Sequence, residues 1–124
     1  LMKLRIKGDS IRLRLTKTEV EEFGTKGNVK ESVHFGPHSD QHFHYELLTR
    51  AGIEHLSVHY QNHVIQVMVP PSMAEAWVQT DQVGFEQTLN QGGNSIHLLV
   101  EKDFQCLHRD DAEEPDNYAH PLAK

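Results

Sequence analysis

The sequence predicts an α+β fold: a single domain, mainly antiparallel β-sheet of about six to eight strands, flat or curled into a barrel-like form, with two short helices. Three observations lead there. Apolar and polar residues alternate in short runs such as "MKLRIKGDSIRLRL", the period-two signature of strands with one buried face. Turn-forming pairs, among them Gly8-Asp9 and the glycines of "NQGGN", separate those runs. Two stretches, "LTKTEVEEFG" and "SMAEAW", carry helix-start signals instead.

Taken in order, Gly8-Asp9 forms the turn of an opening hairpin that pairs Ile6 with Ile11 and Leu4 with Leu13. Those four residues are expected to be buried. The opposite face then carries Lys3, Arg5, Lys7, Arg12 and Arg14, with Arg5 across from Arg12, and like charges in register repel, so an anionic group is expected there. The first helix has Thr16 as N-cap, Glu19 completing a capping box, Leu15 and Val20 as a staple, and Gly24 as its stop. "NVKESVHFG" and "DQHFHYELL" read as a second strand pair, with Phe43, Tyr45 and Leu47 on one face and His42, His44 and Glu46 on the other. A hairpin about Gln61-Asn62 places Leu56, Val58, Ile65 and Val67 together, and His55, Ser57, His59 and Gln66 opposite them. Pro70-Pro71 ends that strand, and Ser72 with Glu75 has capping-box spacing for the second helix. Trp77, four residues after Met73, reads as core. "QVGFEQTL" and "SIHLLVEKD" flank "NQGGN" as a last hairpin. No internal repeat is evident, and residues 1–109 read as one domain followed by an acidic tail, 110–124, either draped over it or disordered.

With 124 residues, 37% of them hydrophobic, the chain can bury a core without staples. Its longest apolar runs fall far short of the roughly 18 residues a membrane span needs, so a soluble protein is expected. A single cysteine cannot form an intramolecular disulfide, and Lys3 to Leu15 alternates instead of forming a signal peptide's apolar block, so a cytoplasmic location is expected. The net charge of −6 disfavours wholesale capture of nucleic acid. Charge is unevenly spread, however: the opening hairpin is basic, whereas Glu101 to Asp116 is dominated by carboxylates.

Two clusters invite a metal reading. His34, His38, His42 and His44 lie close in sequence, and His42 with His44 point the same way from a strand, which can bring two imidazoles to one divalent ion such as zinc. His55 and His59 would extend that face if their strand is the neighbour. The competing reading is a solvated sheet face, because no spacing here matches a structural zinc pattern. Asp103, Cys106 and His108 form the other candidate set, although zinc thiolate sites usually bring paired cysteines. A nucleophilic Cys106 would need a positive environment, and its acidic flanks work against one. The favoured reading is that Phe104, Cys106 and Leu107 anchor the end of the last strand in the core. Enzyme templates with phosphate loops, nucleophile elbows or paired zinc-binding histidines are absent.

The combination "IRLRLTKTEVEEF", "TDQVGFE" and "LLVEKDFQCL" resembles a family of small bacterial proteins that is a domain of unknown function. The resemblance extends over nearly the whole chain and is strongest at the first hairpin-helix and the last strand. It implies a single small domain with the same opening hairpin and the same exit from the last strand, and no established activity, cofactor or catalytic residue.

Together these readings favour a small binding or interaction module without catalysis or obligatory cofactor, self-associating as a homodimer. Lys3, Arg5, Lys7, Arg12 and Arg14 would form its interaction surface, covered by the acidic tail or by a partner's tail. The alternative is a divalent-metal-binding, hydrolytic protein using His42 and His44, or Asp103, Cys106 and His108.

Overall fold

The computed structural model describes residues 1–104. Its elements run β1 (Lys3–Lys7), β2 (Ser10–Leu15), α1 (Lys17–Lys26), β3 (Asn28–His34), β4 (His42–Thr49), β5 (Ser57–Gln61), β6 (Val64–Val69), α2 (Pro71–Gln79), β7 (Gly84–Gln91) and β8 (Asn94–Lys102), with a 3-10 turn at Ser39–Gln41. The eight strands form two four-stranded sheets, ordered β1-β2-β8-β7 and β3-β4-β6-β5. The hairpins pair as their alternation requires: Leu4 faces Leu13, Ile6 faces Ile11 and Arg5 faces Arg12. Each sheet is mixed, because β2 runs parallel to β8 and β4 runs parallel to β6. The α+β class stands, and there is no closed barrel among the described residues; the largely antiparallel expectation is corrected at those two central junctions.

The chain is built from two ββαββ halves that exchange hairpins. β1-β2-α1-β3-β4 has the same order of elements as β5-β6-α2-β7-β8, and each sheet joins the first hairpin of one half to the second hairpin of the other. Equivalent positions repeat at a constant spacing through the first hairpin and helix of each half: Met2 with Leu56, Leu13 with Val67, Leu15 with Val69, Phe23 with Trp77. Hydrogen bonds repeat too. Asp103 N–H donates to Leu15 O as Arg50 N–H donates to Val69 O, and His97 N–H to Asp9 O as His44 N–H to His63 O. The expectation of no internal repeat is therefore corrected. What repeats is apolar alternation, which every hairpin shares, so the side-chain identities conceal the duplication.

Both helices lie at the same end of the sheets. Each leaves the end of an inner strand, β2 or β6, and leads into the start of β3 or β7, while all the hairpin turns gather at the other end. At the helix end Phe23 meets Trp77 edge-on at 5.9 Å, Trp77 meets Phe85 at 5.3 Å, and the Trp77 indole N–H donates to Val83 O. Leu15, Val69 and Trp77 are fully buried there, and Leu13, Leu47, Val67 and Val100 fill the next layer. Further toward the turns the interior opens. Ile6, expected in the core, is 56% exposed although its register is as expected, because it stands at the open end beyond the reach of the helices.

Three local readings are corrected. α1 does not stop at Gly24 but runs to Lys26, and Gly27, at φ 82°, caps it with its N–H donating to Phe23 O. Gly24 instead makes room for the neighbouring helix: a Cβ there would come within 2.7 Å of a Val78 methyl. Ser72 does not cap α2, because Pro71 is already its first residue, where the missing N–H is harmless, and Pro70 is the N-cap. The β5-β6 turn is Asn62-His63, both at positive φ, one position later than expected. The Thr16–Glu19 capping box forms as read, and Glu19 also pairs with the terminal amine of Leu1 at 3.3 Å. No helix among the described residues is long and apolar enough to cross a membrane.

Leu13 lies in the fully packed layer, so Leu13→Ala should lower stability by about 2 to 5 kcal/mol in denaturant unfolding; a loss under about half a kcal/mol would place Leu13 outside the core.

Candidate binding cleft

The basic face of the opening hairpin finds its anion on the neighbouring strand. Parallel pairing sets Arg14 beside Glu101, and one carboxylate oxygen accepts from Arg14 Nε at 3.0 Å and Arg14 Nη2 at 2.8 Å, with Arg12 Nε 3.7 Å away. Lys3 pairs with Asp103 at 3.0 Å. Arg5 and Lys7 have no ion-pair partner among the described residues. Thus Glu101 and Asp103 relieve the repulsion that the alternation implies. The tail expected to do so, 110–124, lies outside the described residues, as do Cys106, Leu107 and His108; Phe104, expected to anchor the end of the last strand in the core, is instead 60% exposed.

On the outer face of the other sheet, His42 and His44 share a side as read. The His34 and His42 rings meet at 4.4 Å, and those of His42 and His44 at 6.4 Å. One nitrogen of each ring is engaged: His42 Nε2–H donates to Gly36 O, and His44 Nδ1 lies 2.6 Å from the Ser32 hydroxyl. No group of three or more His, Cys, Asp or Glu side chains among the described residues is placed to hold a metal ion. Partial burial, then the positive field of Lys30 and the nearby His42, His34 and His63, holds the His44 pKa below its ordinary value of 6.5.

His97 is the equivalent of His44 in the other half, and it repeats the hydroxyl contact, with Nδ1 3.0 Å from Thr88 Oγ1. Here a carboxylate replaces Lys30: His97 Nε2–H donates to Glu86 at 2.9 Å, which leaves Nδ1 to accept from Thr88. Hydroxyl, imidazole and carboxylate are thus connected in a line. They stand on an exposed sheet face as cross-strand neighbours.

Hollows of about 270 and 490 Å³ flank the helices, each with charged side chains in its wall; the apolar one lies at the turn end. A cleft of about 400 Å³ opens between the sheets there, lined by Ile6, Ile11, Phe43, Val58, Tyr60, Ile65, Gln91 and Ile96. It straddles the axis relating the two halves, since Ile6 is equivalent to Tyr60, Ile11 to Ile65 and Phe43 to Ile96. The seams between the sheets carry no strand ladder among the described residues and are bridged by side chains. On one side Tyr45 O–H donates to Met2 O; on the other, Gln87 Oε1 accepts from Leu56 N–H and the Gln91 amide reaches Val58 O at 3.5 Å. Burial, and after it the carboxylates of Glu31 and Glu19, keeps the Tyr45 phenol above its ordinary pKa of 10.0 and so in its donating form.

Sequence reasoning placed Ile6, Ile11, Val58 and Ile65 in the core and did not single out Tyr60, Gln91 or Ile96. The available signal was position: Ile6 and Tyr60 each stand two residues before a turn, farther from the helices than a closed core extends.

Two outcomes are expected. Glu101→Gln should cost about 1 kcal/mol at low ionic strength, shrinking as salt screens the uncovered arginines; a salt-independent loss in urea unfolding would remove the electrostatic account. The His44 ring should titrate by NMR with a midpoint below 6.5, moving upward in Lys30→Gln. The folded state resists protonating this ring, so its contribution is present above pH 6.5 and is lost as pH falls through the native midpoint. A midpoint at or above 6.5 would contradict the assigned field.

No curated protein and no solved structure matches the chain. Residues 2–122 match the family of unknown function DUF7009. That span takes in the opening hairpin and helix, both sheets and the cleft between them, and the chain belongs to this family.

Proposed function

We propose that this chain is a non-catalytic binding module whose working surface is the apolar cleft at the turn end of its two sheets. The observation that carries the reading is the contrast in lining between the ends. The hollows beside the helices carry charged side chains, Glu75 in one and Lys17, Glu21, Lys102 and Asp103 in the other, while the turn end leaves aliphatic and aromatic side chains lining an open hollow. A cleft of about 400 Å³ is within the size range of ligand sites. Among the described residues its walls carry no charged side chain, and their polar groups are the Tyr60 phenol and the Gln91 amide. The chemistry it suits is therefore an uncharged apolar moiety, since an ion brought there would lose hydration without a partner. A single cysteine suits a reducing compartment such as the cytoplasm.

The neutral fluorophore N-phenyl-1-naphthylamine, added to dilute protein, should bind saturably with enhanced emission. Ile6→Asp, which sets a charge on the lip at an exposed position, should weaken that binding at least about tenfold while leaving the melting curve unchanged. His44→Ala, on the outer face, should leave it unaltered. Equal binding by Ile6→Asp and the parent, or no saturable binding, would contradict the assignment.

A further inference from the structure

We infer that the apolar group taken by the cleft is Phe35 of a second copy of this chain, so that the two open ends form a symmetric pair. This rests on the binding reading above and names its occupant. Phe35 follows β3 directly and is 76% exposed, an unusual state for a phenylalanine. Its backbone is nevertheless held: Phe35 N–H donates to Gln41 O, and Gln41 N–H donates to His38 O, each at 2.9 Å. The side chain is thus presented by an ordered loop, which reduces the entropy lost on docking.

Phe35 is the counterpart of Gln91 in the other half, and its neighbour Val33 faces the cleft residue Phe43 across the ladder. Gln91 lines the cleft, whereas Phe35 stands outside it. Anchor and socket therefore occupy the same end of one molecule, the arrangement that closes as an isologous pair.

Area and charge favour this occupant. Ile6, Val33, Phe35 and Tyr60 are all exposed at this end. They offer on the order of 400 Å² of apolar surface per copy, and with the surrounding rim a pair reaches the low end of specific interfaces. Asp40, in the anchor loop, and Lys7, next to the socket residue Ile6, are both exposed and opposite in charge, so they favour a pairing of the two open ends. An association in the micromolar range is the expected strength.

Sedimentation velocity of the full chain from about 1 to 500 µM should show a monomer–dimer equilibrium. Phe35→Asp, at an exposed site, should raise the dissociation constant at least about tenfold with an unchanged melting curve, and Ile6→Asp should do the same from the socket side. Mixing the two variants should restore part of the association, because their heterodimer keeps one intact anchor and socket. N-phenyl-1-naphthylamine should bind the dilute parent and be expelled as its concentration rises, but not from Phe35→Asp. A parent that stays monomeric throughout while binding the fluorophore would overturn the second-copy inference and leave the cleft as a site for a small apolar ligand. A monomer that binds no fluorophore would overturn both. Dimerisation unaffected by Phe35→Asp would place the interface elsewhere.

Discussion

The packing of Phe23 against Trp77 is the contact on which the rest of the structure depends. These equivalent residues of the two helices meet where both sheets end, and the Trp77 ring continues the contact into Phe85 at the start of β7. Burying two large aromatic side chains and their surroundings supplies several kcal/mol to hold sheets that no strand ladder joins among the described residues. Gly24 belongs to this seal, since the helices approach closely only where one of them lacks a Cβ. Sealing one end has a geometric consequence. Two twisted sheets pinned together at one edge part toward the other, and the apolar face of each hairpin extends past the closed core to line the cleft.

Charge is organised around the same frame. The five cations of the opening hairpin sit on the outer face of their sheet, where parallel pairing to β8 brings Glu101 between Arg12 and Arg14. That pairing is one of the two that join the halves of the chain. The arginines are thus partners to a strand far away in sequence and help fix which strand lies beside β2. The corresponding junction in the other sheet, β4 with β6, has no arginine; there Glu46 accepts from the Gln66 amide across the junction and from the Asn28 amide on β3. Duplicated topology has therefore been finished with different chemistry in each sheet, and the His44 and His97 environments, one beside Lys30 and the other beside Glu86, show the same divergence.

Local chemistry was legible in the sequence where it is decided by near neighbours. The hairpin register of Leu4 with Leu13, the Thr16–Glu19 box and the Gly92-Gly93 turn all follow from residues a few positions apart. The parallel junctions were not legible, because β2 and β8 carry no mark that selects one another beyond Arg14 and Glu101. The helix stop was misplaced at Gly24 because a glycine required by a neighbouring helix looks, in sequence, like a glycine required by a left-handed turn. The cleft was hidden for a related reason. Alternation reports which face of a strand is apolar, not how far along the strand the opposing sheet remains in contact.

Methyl NMR of isoleucine, leucine and valine during addition of N-phenyl-1-naphthylamine tests most directly whether the open end is the working surface. Shifts confined to Ile6, Ile11, Ile65, Ile96 and Val58, with Leu15 and Val69 at the sealed end unmoved, are the result this account predicts. Shifts centred on the helix end, or no shifts at saturating probe, would contradict it.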